Sequence, residues 1–464
     1  MNIHFLGAAR TTTGSMYLLE VNGKNLLLEC GLYQGHREET TRRNTTFPFD
    51  PRTIDAVVLS HAHIDHAGNL PNLAKQGYDG PIHCTEATRD LCGIMLMDSA
   101  HIQEQDALFV SKWRAQKHQP PVEPLYHVAD AEKAVKQLVA HGYEKTFSPV
   151  AGVNVTFRDA GHILGSAQVI LDVQENSRKF RWLFSGDVGR GADELLNDPG
   201  VVENVDYLQI ESTYGNRTHA VRTDADAVVG QLVGATIAQR GKVIIPAFSV
   251  GRTQQIVYVL HELTCAGKLP RVPIFVDSPL SAKASDIYSR HRDILRPDLD
   301  ATLCRGERPF EMGNLTYIAN AEASKQLNDR REPMIIISAS GMAEAGRIRH
   351  HLKNNIGDAK NLLLFIGYCA EGTLGNQLAT GKSPVNIFGE PHAVKAKVVS
   401  LDTYSGHADK NELKCYVEKI TGNLKRIFCI HGEEEQCLAH AETLRALKPK
   451  AQVIVPEYRQ VLKI

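Results

Sequence analysis

The run His61-Ala62-His63-Ile64-Asp65-His66 places four side chains able to bind metal or move protons within six residues. Imidazole nitrogens and carboxylate oxygens are the donors that suit zinc, and imidazole is also the side chain that titrates near neutral pH. An extended stretch sends His61 and His63 to the same side, while a turn into a helix at Asp65 and His66 presents two more groups from a second direction. Such a loop can hold two ions rather than one. His162, in Asp159-Ala160-Gly161-His162-Ile163-Leu164-Gly165-Ser166, and Asp187, after Trp182-Leu183-Phe184-Ser185-Gly186, extend the donor set. Either residue alone is more often a hydrogen-bonded turn residue than a ligand. In company, a carboxylate can bridge two ions about 3.5 to 4 Å apart.

Strands are needed to bring these residues to one edge. Residues 55–60 read as a buried strand that ends in the histidine-rich loop. Residues 15–30 alternate apolar and polar about Asn22-Gly23, the dipeptide of a two-residue hairpin turn, so the chain opens in β structure. A long helix is predicted from about 85 to 117, stopped by Pro120-Pro121, and strands follow at 153–157, 167–173, 180–184 and 205–210. Past Glu211 the order becomes strand, helix, strand: 242–247, 253–264, 274–276, 334–338, 343–353 and 362–366. That alternation predicts βαβ units and a mainly parallel sheet. Strands at 396–401, 424–430 and 453–455 and helices at 410–419 and 434–447 complete the tail.

Composition bounds the function. The 464 residues, 43% hydrophobic and 23% charged, suffice for two or three packed domains. Lys+Arg 52 against Asp+Glu 53 leaves a net charge of -1, which excludes a globally basic nucleic-acid coat but not a local basic groove. No apolar run approaches the roughly 18 residues of a membrane span, and Met1-Asn2-Ile3-His4-Phe5-Leu6 lacks the basic lead of a signal sequence, so a cytoplasmic protein is expected. The 9 cysteines include no Cys-x-x-Cys pair, which argues against a disulfide framework or a thiolate zinc site.

The order and context of His61, His63, Asp65, His66, His162 and Asp187 resemble the metallo-β-lactamase superfamily. That resemblance implies an αββα sandwich with ligands on loops at one edge. It implies His61, His63 and His162 on a first metal, Asp65 and His66 on a second, and Asp187 bridging. The superfamily's diiron branch typically has Glu where this chain has His63, so two Zn²⁺ ions are expected, with Mn²⁺ as the alternative. More than half of the chain follows Asp187. It contains Ile210-Glu211-Ser212-Thr213-Tyr214-Gly215, Tyr404-Ser405-Gly406-His407-Ala408-Asp409 and Cys429-Ile430-His431-Gly432-Glu433, which look like motifs A, B and C of the β-CASP group. Pro246-Ala247-Phe248-Ser249-Val250-Gly251-Arg252 and the segment Ser338 to Arg347 strengthen the match.

The β-CASP resemblance implies an α/β domain with a mainly parallel sheet, inserted in the lactamase-like domain and forming a cleft over the metals. The borders expected are 1–209, 210–395 and 396–464. His431 would complete the second metal site, and since DNA-processing members commonly carry an aliphatic residue there, it favours RNA. His407 takes the general-acid position with Glu211 orienting it, and Asp65 joins them as a catalytic group. The implied function is zinc-dependent hydrolysis of single-stranded RNA by a two-metal-activated hydroxide, as endonuclease, 5′-exonuclease or both, leaving a 5′-phosphate and a 3′-hydroxyl. The implied protein is a monomer or weak dimer. The alternatives are a catalytically weak RNA-binding or scaffold relative and a small-ester hydrolase of the same fold; the complete ligand set and the inserted domain argue against them.

A neutral protein needs local phosphate contacts. Gly341 and Gly346 place backbone N–H groups at the start of the helix predicted at 343–353, with Ser340 before it and Arg347 one turn inside, a pattern suited to an RNA phosphate. Ser249 and Arg252 form a second candidate and Arg217 a weaker third. Other signals fail. Residues 375–383 resemble a P-loop but carry five residues between the glycines where four are required, so ATP binding is not expected. His261-Glu262-Leu263-Thr264-Cys265 ends in Cys where a zinc protease needs His. His4, His36, His83, His350, His351 and His392 lack completing partners and read as ordinary surface or core residues.

Overall fold

At the Asn22-Gly23 turn φ is 51° and 73°, and Tyr17–Val21 runs antiparallel to Lys24–Leu28 with Val21 opposite Lys24. The left-handed turn needs that pair of residues, so the hairpin forms as expected. The computed structural model describes all residues except 36, 220–224, 298, 300–306, 368 and 371. His36 and Cys304 lie outside the described residues.

The chain divides into two units. The first comprises Met1–Asp193, Asn197–Thr218 and His407–Ile464; the second comprises Glu194–Leu196 and His219–Gly406. Pairing explains these borders. Tyr207–Glu211 lies between Arg178–Phe184 and Arg426–Ile430 in a sheet of the first unit, whereas Lys397–Leu401 pairs with Leu362–Ile366 in the second. The strand at 207–211 therefore stays with the first unit, and residues 396–406 stay with the second.

Among the described residues, the first unit has two seven-stranded sheets. One runs in the order Val461–Lys463, Asn2–Phe5, Tyr17–Val21, Lys24–Leu28, Ala56–Val58, Ile82–Thr85, Leu138–His141; the other Gln452–Ile454, Arg426–Ile430, Tyr207–Glu211, Arg178–Phe184, Ala167–Glu175, Val153–Asp159, Thr146–Val150. They face each other. Ile3, Phe5, Leu26, Leu28 and Val58 of the first pack with Val155, Phe157, Leu171, Trp182 and Phe428 of the second in one buried cluster. The opposite face of the second sheet carries Leu183, Leu208, Ile210 and Ile427 against the helices Lys410–Lys419 and Glu434–Leu447. The first sheet is covered by the helices Leu70–Lys75, Glu86–Ala115 and Val128–Lys136. The result is the αββα sandwich. Strands buried on both faces must be apolar at consecutive positions, which is why Leu26-Leu27-Leu28 and Ala56-Val57-Val58 show no alternation.

Among the described residues, the second unit has a six-stranded sheet in the order Leu315–Tyr317, Ile274–Asp277, Met334–Ser338, Lys242–Pro246, Leu362–Ile366, Lys397–Leu401, and its neighbouring strands pair in parallel. The expected mainly parallel sheet is present. One expected helix starts late: Ile348–Asn355 replaces 343–353, because Ala343 and Gly346 have φ of 61° and 80° and the preceding residues form turns. The helices Arg37–Thr45, Val128–Lys136, Ala225–Ala238, Pro279–Arg290 and Ala321–Asp329 were not predicted from the sequence. No disulfide forms among the described residues.

Candidate metal centre and active site

Strand ends build the site. Three parallel strands end side by side, Phe184 opposite Gln209 and Glu211 opposite Ile430, and the next residues bring Asp187, Thr213 and His431 to that edge. From the facing sheet, the strand Ala56–Val58 leads into Ser60 and His61, and His63 stands just before the short helix Ile64–Ala67 that carries Asp65 and His66. Segment 30–32 clamps this loop: Cys30 N donates to His66 O at 2.8 Å and Leu32 N to Ile64 O at 2.9 Å. The approach is so close that a Cβ on Gly31 would lie 1.6 Å from Asp65 O. His162 sits between Val153–Asp159 and Ala167–Glu175, in a loop held by Thr85 Oγ1 and Thr88 Oγ1, which donate to Gly165 O at 2.7 and 2.9 Å. Gly165 has φ 79° and touches the helix start, so a side chain there has neither backbone conformation nor space.

The seven expected ligands converge. His63 Nδ1 lies 3.2 Å from both His61 Nε2 and His162 Nε2, and Asp187 Oδ2 is 3.5 Å from the Nε2 atoms of His61 and His162. On the other side of Asp187, His66 Nε2 is 3.4 Å from Oδ2 and His431 Nδ1 is 3.6 Å from Oδ1. His66 and His431 bring their Nε2 atoms within 3.1 Å, and Asp65 Oδ2 is 3.4 Å from His431 Nε2. Two donor groups, His61, His63 and His162 on one side and Asp65, His66 and His431 on the other, therefore share Asp187.

Hydrogen bonds behind the ligands fix which nitrogen faces the centre. Glu29, fully buried, accepts from His66 Nδ1 at 2.6 Å, from Ser60 N at 2.6 Å and from Ser60 Oγ at 3.1 Å. Having given its proton to Glu29, the Ser60 hydroxyl accepts from His61 Nδ1 at 3.0 Å. Thr213 Oγ1 donates to Glu211 Oε2 at 2.6 Å and accepts from His431 Nδ1 at 3.2 Å. These tautomers turn the Nε2 lone pairs of His61, His66 and His431 inward. Sequence reasoning missed Glu29, Ser60 and Thr213. The one available signal for Glu29 was an acidic residue closing the apolar run Leu26-Leu27-Leu28.

This arrangement fits a cation. Both carboxylate oxygens of Asp187 are buried and have no hydrogen-bond partner, a costly state for a charged group unless positive charge sits beside it. Inward lone pairs on neutral imidazoles need the same thing. Burial pushes His61 well below the ordinary imidazole range and His63 down to about 4, so both are ready as neutral ligands. Burial also opposes ionisation of Asp65 and Asp187, but the neighbouring imidazoles outweigh it, His66 first for Asp65 and His431 first for Asp187, and hold both below the carboxylate range. Without cations His66 carries the compensating charge: burial disfavours it, yet Asp187, Asp65 and Glu29 raise it well above its usual value.

Beside the ligands, His407 Nδ1 lies 3.1 Å from Glu211 Oε2 and 3.8 Å from Asp187 Oδ2. Burial would lower its pKa, but the Glu211 carboxylate and then Asp187 raise it to about 9. Glu211 is fully buried and is itself held by the Val188 backbone N–H.

The matches to protein families follow this anatomy. The metallo-beta-lactamase superfamily matches residues 9–231, the Beta-Casp domain residues 253–378, and the Zn-dependent metallo-hydrolase RNA specificity domain residues 391–456. Ribonuclease TTHA0252 of Thermus thermophilus is 36% identical over 444 residues, 96% of each chain. The chain belongs to the β-CASP group of the metallo-β-lactamase superfamily. The resemblance read from the motifs is borne out, and as a β-CASP protein the chain is a metal-dependent hydrolase. The transcription termination factors FttA of Methanocaldococcus jannaschii and Thermococcus kodakarensis are 29% and 31% identical, covering 100% and 93% of this chain and 72% and 67% of their own length. A solved structure of a protein of unknown function from Enterococcus faecalis V583 shares the fold at TM-score 0.56 and 12% identity, covering 99% of both chains.

The expected phosphate-binding residues lie in the second β-CASP unit, except Arg217 in the first. Ser340 and Gly341 sit in turns, not at a helix N-terminus, since the helix begins only at Ile348. Arg347 turns inward: its guanidinium donates to Asp277 Oδ1 at 2.6 Å and to the carbonyls of Ile318 and Ala319 at 3.1 Å each. His351, read as an ordinary core residue, bonds the other Asp277 oxygen at 2.6 Å. Arg252 Nη1 donates to Gln255 Oε1 at 2.5 Å, and Ser249 Oγ lies 3.4 Å from Ser278 Oγ. Pro246, Ala247, Phe248, Gly341, Ile366 and Gly367 line a small open depression where three of the parallel strands end.

Proposed function

We propose that this protein is a ribonuclease that hydrolyses phosphodiester bonds of single-stranded RNA with two divalent cations, zinc first and manganese as the alternative. His61, His63 and His162 would hold one ion, Asp65, His66 and His431 the other, with Asp187 between them. Bound there, the ions would supply positive charge for the phosphate oxygens and acidify a water molecule from about 15.7 towards 7. The observation that carries the reading is the pairing of His407 with Glu211 beside an otherwise unpartnered Asp187.

The protein's own groups account for proton delivery. Glu211 accepts the Nδ1 proton of His407, which leaves Nε2 to carry the proton for transfer, and the raised pKa keeps the ring charged at neutral pH. A charged imidazole is the form that can protonate a departing 3′ oxygen. The RNA reading is supported by the ribonuclease from Thermus thermophilus, which aligns over nearly the whole chain, and by the match to the RNA specificity domain at 391–456. In the second unit, Ser249, Arg252, Ser340 and Gly341 are the candidates for RNA phosphates, while Arg347 positions the loop that carries the last two.

The test is cleavage of labelled linear and circular single-stranded RNA by the wild type, His407→Ala and Asp187→Ala. His407→Ala should lose cleavage and keep its metal; Asp187→Ala should lose both. Opening of the circle would establish internal cutting. Wild-type cleavage by both variants, with full metal content, would overturn the assignment.

A further inference from the structure

The long helix Glu86–Ala115 is apolar on two faces. Its inner face buries Ala87, Leu91, Cys92, Met95, Leu96, Ala100 and Ala107. Over its last turns the outer face exposes Ile102 at 53%, Leu108 at 55%, Phe109 at 75% and Trp113 at 53%. Ile102, Phe109 and Trp113 recur at spacings of seven and four, so they form a narrow stripe along one side of the helix. A stripe of large apolar side chains in water marks an interaction surface.

The charges along this segment indicate what covers it. Asp106 precedes Phe109 by three residues and Lys112 follows it by three, whereas Glu104 faces the protein and accepts from His127 Nδ1 and Val128 N at 3.1 Å each. A parallel copy of the helix would set like charges against like. An antiparallel copy related by a two-fold axis at Phe109 sets Asp106 opposite Lys112, twice over, with Phe109 on its own symmetry mate. In that register Trp113, whose ring already carries Lys117 Nζ at 3.8 Å from its centroid, lies across from Gln105 and one turn from Ile102. Closed two-fold contacts are self-complementary in just this way. We propose that the outer face of residues 102–113 is a homodimer interface, an antiparallel helix pair centred on Phe109.

The sequence supplies its own reporter. Of the 2 tryptophans, Trp182 is fully buried and Trp113 is half exposed, so a change in emission on association belongs to Trp113. Sedimentation equilibrium of the full chain from roughly 1 to 100 μM, a range that spans weak specific association, should show a monomer–dimer equilibrium, with a blue shift of emission over the same concentrations. Phe109→Asp should weaken association at least about tenfold, or about 1.4 kcal/mol, as expected for a residue at the centre of an interface. Asp106→Lys and Lys112→Asp should each weaken it, and the double exchange Asp106→Lys with Lys112→Asp should restore it. Three results would overturn the proposal: a monomer throughout, a dimer indifferent to Phe109→Asp, or single charge variants not rescued by the double. A shift of Trp113 emission on adding RNA, with the chain still monomeric, would do the same by giving the face to nucleic acid.

Discussion

Replacing Glu29 by Gln tests whether the centre depends on the carboxylate that holds His66 and Ser60 from behind. The carboxylate receives three protons, from His66 Nδ1, Ser60 N and Ser60 Oγ, at 2.6, 2.6 and 3.1 Å, and is fully buried. Gln has the same shape but one acceptor oxygen. If that oxygen faces His66, the new NH₂ group opposes the Ser60 N–H and leaves a buried donor unmatched, at about 1–3 kcal/mol of stability. If the NH₂ faces His66 instead, the ring must switch tautomers and point an N–H at Asp187, where a lone pair is required. Either outcome weakens the ion held by His66, by roughly 10- to 100-fold, which is about 1.4–2.7 kcal/mol. Zinc competition against a chromogenic chelator should show one of two ions bound more weakly, with the ion held by His61, His63 and His162 less affected. Two binding constants within about twofold of the wild type would refute the claim that Glu29 sets the His66 tautomer.

Three further outcomes follow from the same geometry. Metal uptake at neutral pH should release protons, because His66, charged in the ion-free site, must become neutral to act as a ligand; affinity then rises with pH, and calorimetry in buffers of different ionisation enthalpy would detect the release. Glu211→Gln removes the larger of the two carboxylate contributions that raise His407 to about 9, so the falling alkaline limb of the kcat/KM profile should move to lower pH with metal content retained; an unmoved limb would remove Glu211 as the partner. Arg347→Ala should destabilise the protein by up to about 3 kcal/mol, at the lower end for a broken buried pair because His351 and Ser324 still serve Asp277. Denaturant unfolding measures that loss, and unchanged stability with weakened RNA binding would return Arg347 to the phosphate.

The convergence of the seven donor side chains was legible because metal chemistry restricts residue types and strand ends restrict spacing. Four donors in the six residues from His61 to His66 crowd together lone pairs that only a cation or a set of protons can reconcile, and the apolar strands before Asp187 and His431 announce where each ligand emerges. The residues behind them were not legible. Glu29 lies 31 residues before Ser60 and 37 before His66, and its partnership exists only because Lys24–Leu28 pairs in parallel with Ala56–Val58. Thr213 likewise meets His431 across 218 residues through the pairing of Tyr207–Glu211 with Arg426–Ile430. Local pattern carries propensity, whereas contacts of this kind depend on sheet order. The strand Val461–Lys463 shows the same limit, since only its pairing with Asn2–Phe5 reveals that the two ends of the chain share a sheet.

Arg347 and the helix start departed from expectation for a different physical reason. Ser340, Gly341, Gly346 and Arg347 read as an anion site because glycines, a hydroxyl and an arginine near a helix start make one wherever the helix begins at the glycines. Here the left-handed residues Ala343 and Gly346 delay the helix to Ile348, and the guanidinium is claimed by Asp277 at the end of the neighbouring strand. A buried carboxylate competes for arginine more strongly than a solvated phosphate does, since its desolvation is already part of the fold. Sequence pattern identifies an arginine's chemistry but not its occupant. For this protein the occupant is internal, which makes Arg347 a residue that fixes the loop of Ser340 and Gly341 in place.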